Sequence, residues 1–194
     1  MMISESYKEG VFIADFTNYI ENHDAEIINK KGVVVETEEN GIIPSFAIHN
    51  ENKCPFAVVN NEHNLAVFKR QDGSLVSQCE CIVYAERNDN RKSWLFFLEL
   101  KYCEAKNRHS NMLDGISQLK ATCNYIFKET KELDADQFKK KYLVISTPGV
   151  EPLDPFDANY FSQDDMLTIK EDTGAMLKAS NAAFIQTPSV VAFE

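Results

Sequence analysis

The apolar positions of the chain change their spacing as it proceeds. From Val11 to Ile28 the residues Phe12, Phe16, Tyr19, Ile20 and Ile27 recur at helical intervals, which predicts an N-terminal helix. Short β-branched or apolar stretches follow. Val33 to Glu36, Phe46 to His49, Phe56 to Asn60 and Leu65 to Lys69 read as strands, with turns at Glu51-Asn52-Lys53 and Gln71-Asp72-Gly73-Ser74. The strongest pair is Val76 to Ala85 and Trp94 to Cys103, joined by the polar segment from Glu86 to Ser93. Asn111 to Lys131 returns to helical spacing, with Met112, Leu113, Ile116, Leu119, Cys123, Ile126 and Phe127 on one stripe. Tyr142 to Ser146 is a short strand that stops at Pro148-Gly149. From Glu151 the chain reads as acidic loop, with a helix near Asp164 to Ile169 and a final strand at Ala183 to Gln186 or at Val190 to Phe193. No internal repeat is present. This order predicts an α/β fold with a mixed central sheet flanked by helices.

A connection turning symmetrically about Asp89-Asn90 would set Glu80 opposite Glu99, Ile82 opposite Phe97, Tyr84 opposite Leu95 and Gln78 opposite Lys101. Side chains alternate along a strand, so Glu80, Glu99 and Lys101 would share one face. Cys79, Cys81, Val83, Trp94, Phe96, Leu98, Leu100 and Tyr102 would occupy the other. Both faces are largely apolar, as in a central strand covered on both sides. Two carboxylates directly opposite would lie roughly 5 Å apart and repel, and burying either without a partner costs several kcal/mol. A divalent cation offsets both effects. Mg²⁺ (or Mn²⁺) prefers hard oxygen ligands, and the Leu100 carbonyl beside Glu99 could supply a third. Lys101 points the same way and could orient a water or stabilise charge on a phosphate. The alternative is a salt bridge on a solvated sheet face, since Glu-x-Lys is a common tripeptide. Against this, the tripeptide ends the apolar run Trp94-Leu95-Phe96-Phe97-Leu98.

Length and composition narrow the classes. The chain has 194 residues, 44% hydrophobic and 26% charged, which fits one globular domain spanning 1–194. No apolar run approaches the length of a membrane span, and the N-terminus lacks a basic segment followed by an apolar stretch. A cytoplasmic protein without a membrane partner is expected. The five cysteines, Cys54, Cys79, Cys81, Cys103 and Cys123, form no Cys-x-x-Cys pair and read as reduced, mostly buried thiols. The net charge of −10 counts against promiscuous nucleic-acid binding but leaves room for a local basic groove. His49 and His109 are isolated. No P-loop, dinucleotide fingerprint or Ser or Cys nucleophile arrangement occurs.

Gln-Cys-Glu-Cys-Ile-Val-Tyr, then Leu-Phe-Phe-Leu-Glu-Leu-Lys-Tyr, then Gln118 in the next helix together resemble the PD-(D/E)xK nuclease superfamily. The resemblance covers about residues 76–146. It implies a restriction-endonuclease-like αβββαβ core, here with extra N-terminal strands, and metal-dependent phosphodiester hydrolysis of nucleic acid, with DNA the expected form. By carry-over Glu80 matches the first acid, Glu99 and Lys101 the second motif, and Gln118 the helical glutamine. These four would be the catalytic residues, with Glu80, Glu99 and the Leu100 carbonyl holding Mg²⁺ or Mn²⁺. The first acid in that family is usually Asp, and the longer arm of Glu80 bears on metal placement and on whether activity is retained. An N-terminal helix would add a further acid, Glu21 or Glu26. The partners implied are nucleic acid and a second copy of the chain in a homodimer. Two other readings stay open: a nuclease-fold protein that no longer cuts and binds nucleic acid or protein, and an acidic accessory factor that meets a basic partner.

Overall fold

A computed structural model describes residues 17–21, 23–27, 45–61, 68–86, 93–152 and 162–194. Among them the strands are β1 (Thr17–Ile20), β2 (Ala25–Ile27), β3 (Phe46–His49), β4 (Phe56–Asn60), β5 (Cys81–Ala85), β6 (Ser93–Leu100), β7 (Phe138–Ser146), β8 (Met176–Ala179), β9 (Ala182–Thr187) and β10 (Val190–Phe193). The α-helices are α1 (Arg108–Asn124), which continues through a π-helical turn at Tyr125–Glu129, and α2 (Gln163–Thr173).

Six strands form one mixed sheet in the order β1-β4-β5-β6-β7-β8. β1, β4, β5 and β6 are mutually antiparallel along this order, whereas β7 runs parallel to β6 and β8 parallel to β7. α1 is the crossover between β6 and β7. A second sheet has the order β10-β9-β3-β2.

β6 lies at the centre because its sequence suits no other place. All eight residues from Ser93 to Leu100 are buried, and its two apolar faces enter two different cores. Leu95 and Phe97 pack with Ile82, Leu143 and Ile145 against Met112, Ile116, Leu119 and Cys123 of α1 and Ile169 of α2. Trp94, Phe96, Leu98 and Leu100 pack with Cys81, Val83 and Val144 against Phe46, Ile48, Ala183, Ile185 and Val191 of the second sheet. The molecule is therefore layered helix, sheet, sheet, with the six-stranded sheet in the middle.

The β5–β6 register is the one the symmetric connection predicts, with Ile82 opposite Phe97 and Tyr84 opposite Leu95. Several other expectations need correction. Strands β1 and β2 stand where an N-terminal helix was expected, and residues 11–16, 22 and 28 of that segment lie outside the described residues. The backbone of β1 pairs with the edge of β4, so ladder bonding overrides the helical spacing of its few apolar residues. Strand β5 starts at Cys81 rather than Val76, and β6 ends at Leu100 rather than Cys103. Leu65 to Lys69 contributes only a bridge from Lys69 to Leu75 among the described residues. Val33 to Glu36 and Asp89-Asn90 lie outside the described residues. The C-terminal segment holds more order than its acidic composition implies. α2 is closed by a reciprocal capping box of Ser162 and Asp165 and by Gly174 at φ 68°. Both proposed final strands form, as the antiparallel pair β9–β10, and β8 was not anticipated.

Candidate functional site

The ends of β4, β5 and β6 meet under α1. Glu99 is the penultimate residue of β6 and is 4% exposed. By alternation it shares the face of Leu95 and Phe97, towards α1. Lys101 follows the strand end, where its backbone N–H donates to the Ser146 carbonyl. Its ammonium returns to Glu99 Oε1 at 2.8 Å and donates to Gln118 Oε1 of α1. Glu99, Lys101 and Gln118 are thus joined directly.

Glu80 reaches the group by a different route. It sits in a bend just before β5, and its own backbone N–H donates to Glu99 Oε2 at 3.0 Å. Each carboxylate oxygen of Glu99 therefore has a partner. The bend has a local cause. The Cys79 N–H donates to Thr122 Oγ1 of α1 at 2.7 Å, so the helix takes a backbone group that a regular strand would have given to its neighbour. Thr122 can do this because its hydroxyl folds back on the helix, 3.0 Å from the Gln118 carbonyl. The same bend corrects the face assigned to Cys79, whose side chain packs in the core beneath α1 and not in the core between the sheets. Glu80 is 7% exposed.

Gly115 brings α1 this close. A Cβ on Gly115 would lie 2.2 Å from Ile145 Cδ1 and 3.3 Å from both Glu99 Cγ and Lys101 Cε. Glycine costs about 1 kcal/mol in a helix interior, and here it permits the helix backbone to rest on the site. Sequence reasoning singled out neither Gly115 nor Thr122. The signal for Gly115 was a lone glycine inside a helical stripe.

Burial raises the pKa of Glu99 above 4.5, and the Lys101 ammonium and the Glu80 N–H pull it back only in part. The leading cause is desolvation and not repulsion between carboxylates. All five cysteines are unpaired. Cys79 and Cys81 flank Glu80, yet burial holds both thiols far above their ordinary range, so neither offers a thiolate at neutral pH.

The other expected residues take varied positions. Leu100 ends β6 with its side chain in the core between the sheets, beside the site only through its backbone. Gln78 is not paired with Lys101 in the ladder, which stops at Cys81–Leu98. Glu21 and Glu26 are exposed and not on a helix. Glu26 instead lies on β2 at a cavity of about 310 Å³ that Glu80, Asn18 and Asn60 also line.

Among the described residues no three His, Cys, Asp or Glu side chains are grouped so as to hold a metal. The surroundings nonetheless supply spare acceptors. Asn61 Oδ1 and Gln78 Oε1 are buried without a hydrogen-bond partner among the described residues. A buried amide oxygen without a donor is of the type a hard cation accepts as a ligand. No described helix is long and apolar enough to cross a membrane. No family model, curated protein or solved structure matches the chain.

Proposed function

We propose that this protein is a metal-dependent hydrolase of the PD-(D/E)xK nuclease type, acting on phosphodiester bonds of DNA. The observation that carries the reading is the junction of buried Glu99 with half-buried Lys101 and Gln118 beside Glu80. A salt bridge on a solvated face would not be sunk beneath a helix with its carboxylate 4% exposed. The order of elements supports the same reading. The antiparallel run β4-β5-β6, the crossover α1 and the parallel strand β7 follow the βββαβ sequence that the resemblance implies.

Glu80, Glu99 and the Leu100 carbonyl would hold Mg²⁺ or Mn²⁺, which when bound acidifies a water and polarises a phosphate oxygen. Lys101 would then be released from Glu99 and retained by Gln118. Its ammonium is placed to orient the attacking water and to stabilise negative charge developing on the phosphate. The water oxygen would bond to phosphorus and give up one proton to solvent, while the P–O bond to the leaving oxygen breaks and that oxygen takes one proton from solvent. α1, seated on Gly115, keeps bulk water from one side of the group.

A second reading is a nuclease-fold protein that binds without cutting. Strands β1 and β2 in place of a helix that would carry a further acid favour it. Nicking of supercoiled plasmid DNA with Mg²⁺ or Mn²⁺ decides between them. The native chain should cut, and Lys101→Ala and Glu99→Gln, shown to be folded by circular dichroism, should not. Binding of DNA by the native chain with no nicking in either metal would favour the second reading.

A further inference from the structure

The residue row across the sheet extends one strand beyond the two acids. β4 and β5 pair antiparallel with Asn60 opposite Cys81, so the next position, Asn61, stands opposite Glu80. The Asn61 N–H donates to the Glu80 carbonyl at 3.0 Å and continues the ladder. Alternation from Val59, which packs in the core beneath α1, puts Asn61 on the helix-facing side of the sheet. Asn61 and Glu80 are therefore adjacent across the ends of β4 and β5, and the bond from the Glu80 N–H to Glu99 Oε2 brings the Glu99 carboxylate beside them.

Asn61 is fully buried. Its amide orientation is set by its own contacts: Nδ2 donates to the Cys79 carbonyl at 3.2 Å and lies 3.6 Å from Cys79 Sγ. The oxygen is thereby committed to the opposite side, where it has no hydrogen-bond partner among the described residues. A buried amide oxygen left bare costs about 1–3 kcal/mol. Evolution towards stability alone would favour an apolar side chain here. A cation or a donor held by one removes the cost, and an amide oxygen is an ordinary ligand for a hard divalent ion.

We propose that Asn61 Oδ1 is a further protein oxygen of the cation site formed by Glu80 and Glu99. The inference rests on the reading that these acids hold a metal. It adds a neutral ligand from the residue that follows β4, so that the ends of three neighbouring strands converge on one ion.

The test is Mn²⁺ binding followed by electron paramagnetic resonance, together with metal-free thermal melts. Asn61→Ala and Asn61→Asp both lose the Nδ2–H bond to Cys79, so both should melt lower than the native chain without metal. Their Mn²⁺ affinities should diverge. Asn61→Ala should weaken binding about tenfold or more, the range seen when a group supporting a metal site is removed, and Asn61→Asp should tighten it by adding a charge. Affinities that fall together in both variants, or stay native in Asn61→Ala, would show a structural residue and overturn the proposal. The native chain supplies a readout that needs no variant: substoichiometric Mn²⁺ should broaden the Asn61 side-chain amide signal in a ¹⁵N–¹H spectrum, and an intact signal would also overturn it. Glu99→Gln separates the two levels. If Glu99→Gln abolishes Mn²⁺ binding and Asn61→Ala leaves it native, the metal reading stands and this inference falls. Should the native chain bind no Mn²⁺, both fall.

Discussion

Replacing Lys101 by Met removes an ammonium from a carboxylate that has little water to replace it. The Glu99 side chain is 6% exposed and that of Lys101 is 19% exposed, so solvent screens the pair only slightly. Removing one partner of a buried pair costs roughly 3 kcal/mol or somewhat more. Much of that cost depends on pH. Glu99 already has a folded-state pKa above 4.5, and Lys101 is the main group lowering it. Without Lys101 the folded pKa rises further. A carboxyl with a raised folded pKa binds more protons in the native than in the unfolded state. Its contribution is therefore intact below 4.5 and is lost as pH rises through the folded value. Lys101→Met prolongs that loss to higher pH. Urea unfolding in EDTA, from pH 4.5 to 8, measures it. The gap between native and variant should be small at the acid end, widen as pH rises and then level off. Loss of the Gln118 bond and of side-chain packing adds a constant offset. A gap that does not change with pH would refute the assignment of Glu99 as a buried, Lys-supported carboxylate.

Gly115→Ala should destabilise the protein by about 1–2 kcal/mol, since overpacking against Ile145 exceeds the gain in helix propensity. Urea midpoints should show it, and Ile145→Val in the same chain should restore most of the loss; a more stable Gly115→Ala would mean that α1 does not rest on the sheet at this point. Thr122→Val leaves the Cys79 N–H without its acceptor, at a cost of about 1–3 kcal/mol. Hydrogen exchange at Cys79 should accelerate relative to β5, and unchanged protection would contradict the bend described here. Millimolar Mn²⁺ should raise the melting temperature of the native chain, by the equivalent of about 2.7 kcal/mol at a hundredfold excess over Kd. The rise should fade as pH falls through the raised pKa of Glu99, because the proton competes with the cation. Glu80→Gln and Glu99→Gln should show no such rise, and a shift of native size in either variant would place the ion elsewhere.

The β5–β6 pair and the helix after it were legible from the chain alone. Trp94 to Leu98 is apolar on both faces, which admits only a central strand, and the register followed from the length of the polar connection. Glu99 and Lys101 could be named because their spacing is local to one strand and its end, whereas Gln118 was named only through the resemblance. Non-local contacts decided the rest. Strand β1 exists because β4 offers an edge, and no residue within 17–20 announces that edge. Glu80 meets Glu99 through its backbone because Thr122, 43 residues after Cys79, captures the preceding N–H. The raised pKa of Glu99 comes from burial under α1, whose closeness depends on a missing Cβ at Gly115. Asn61 has no distinguishing sequence signal. Its oxygen meets no hydrogen-bond donor among the described residues, and whether an oxygen is paired depends on where every neighbouring donor lies, which only the folded chain specifies.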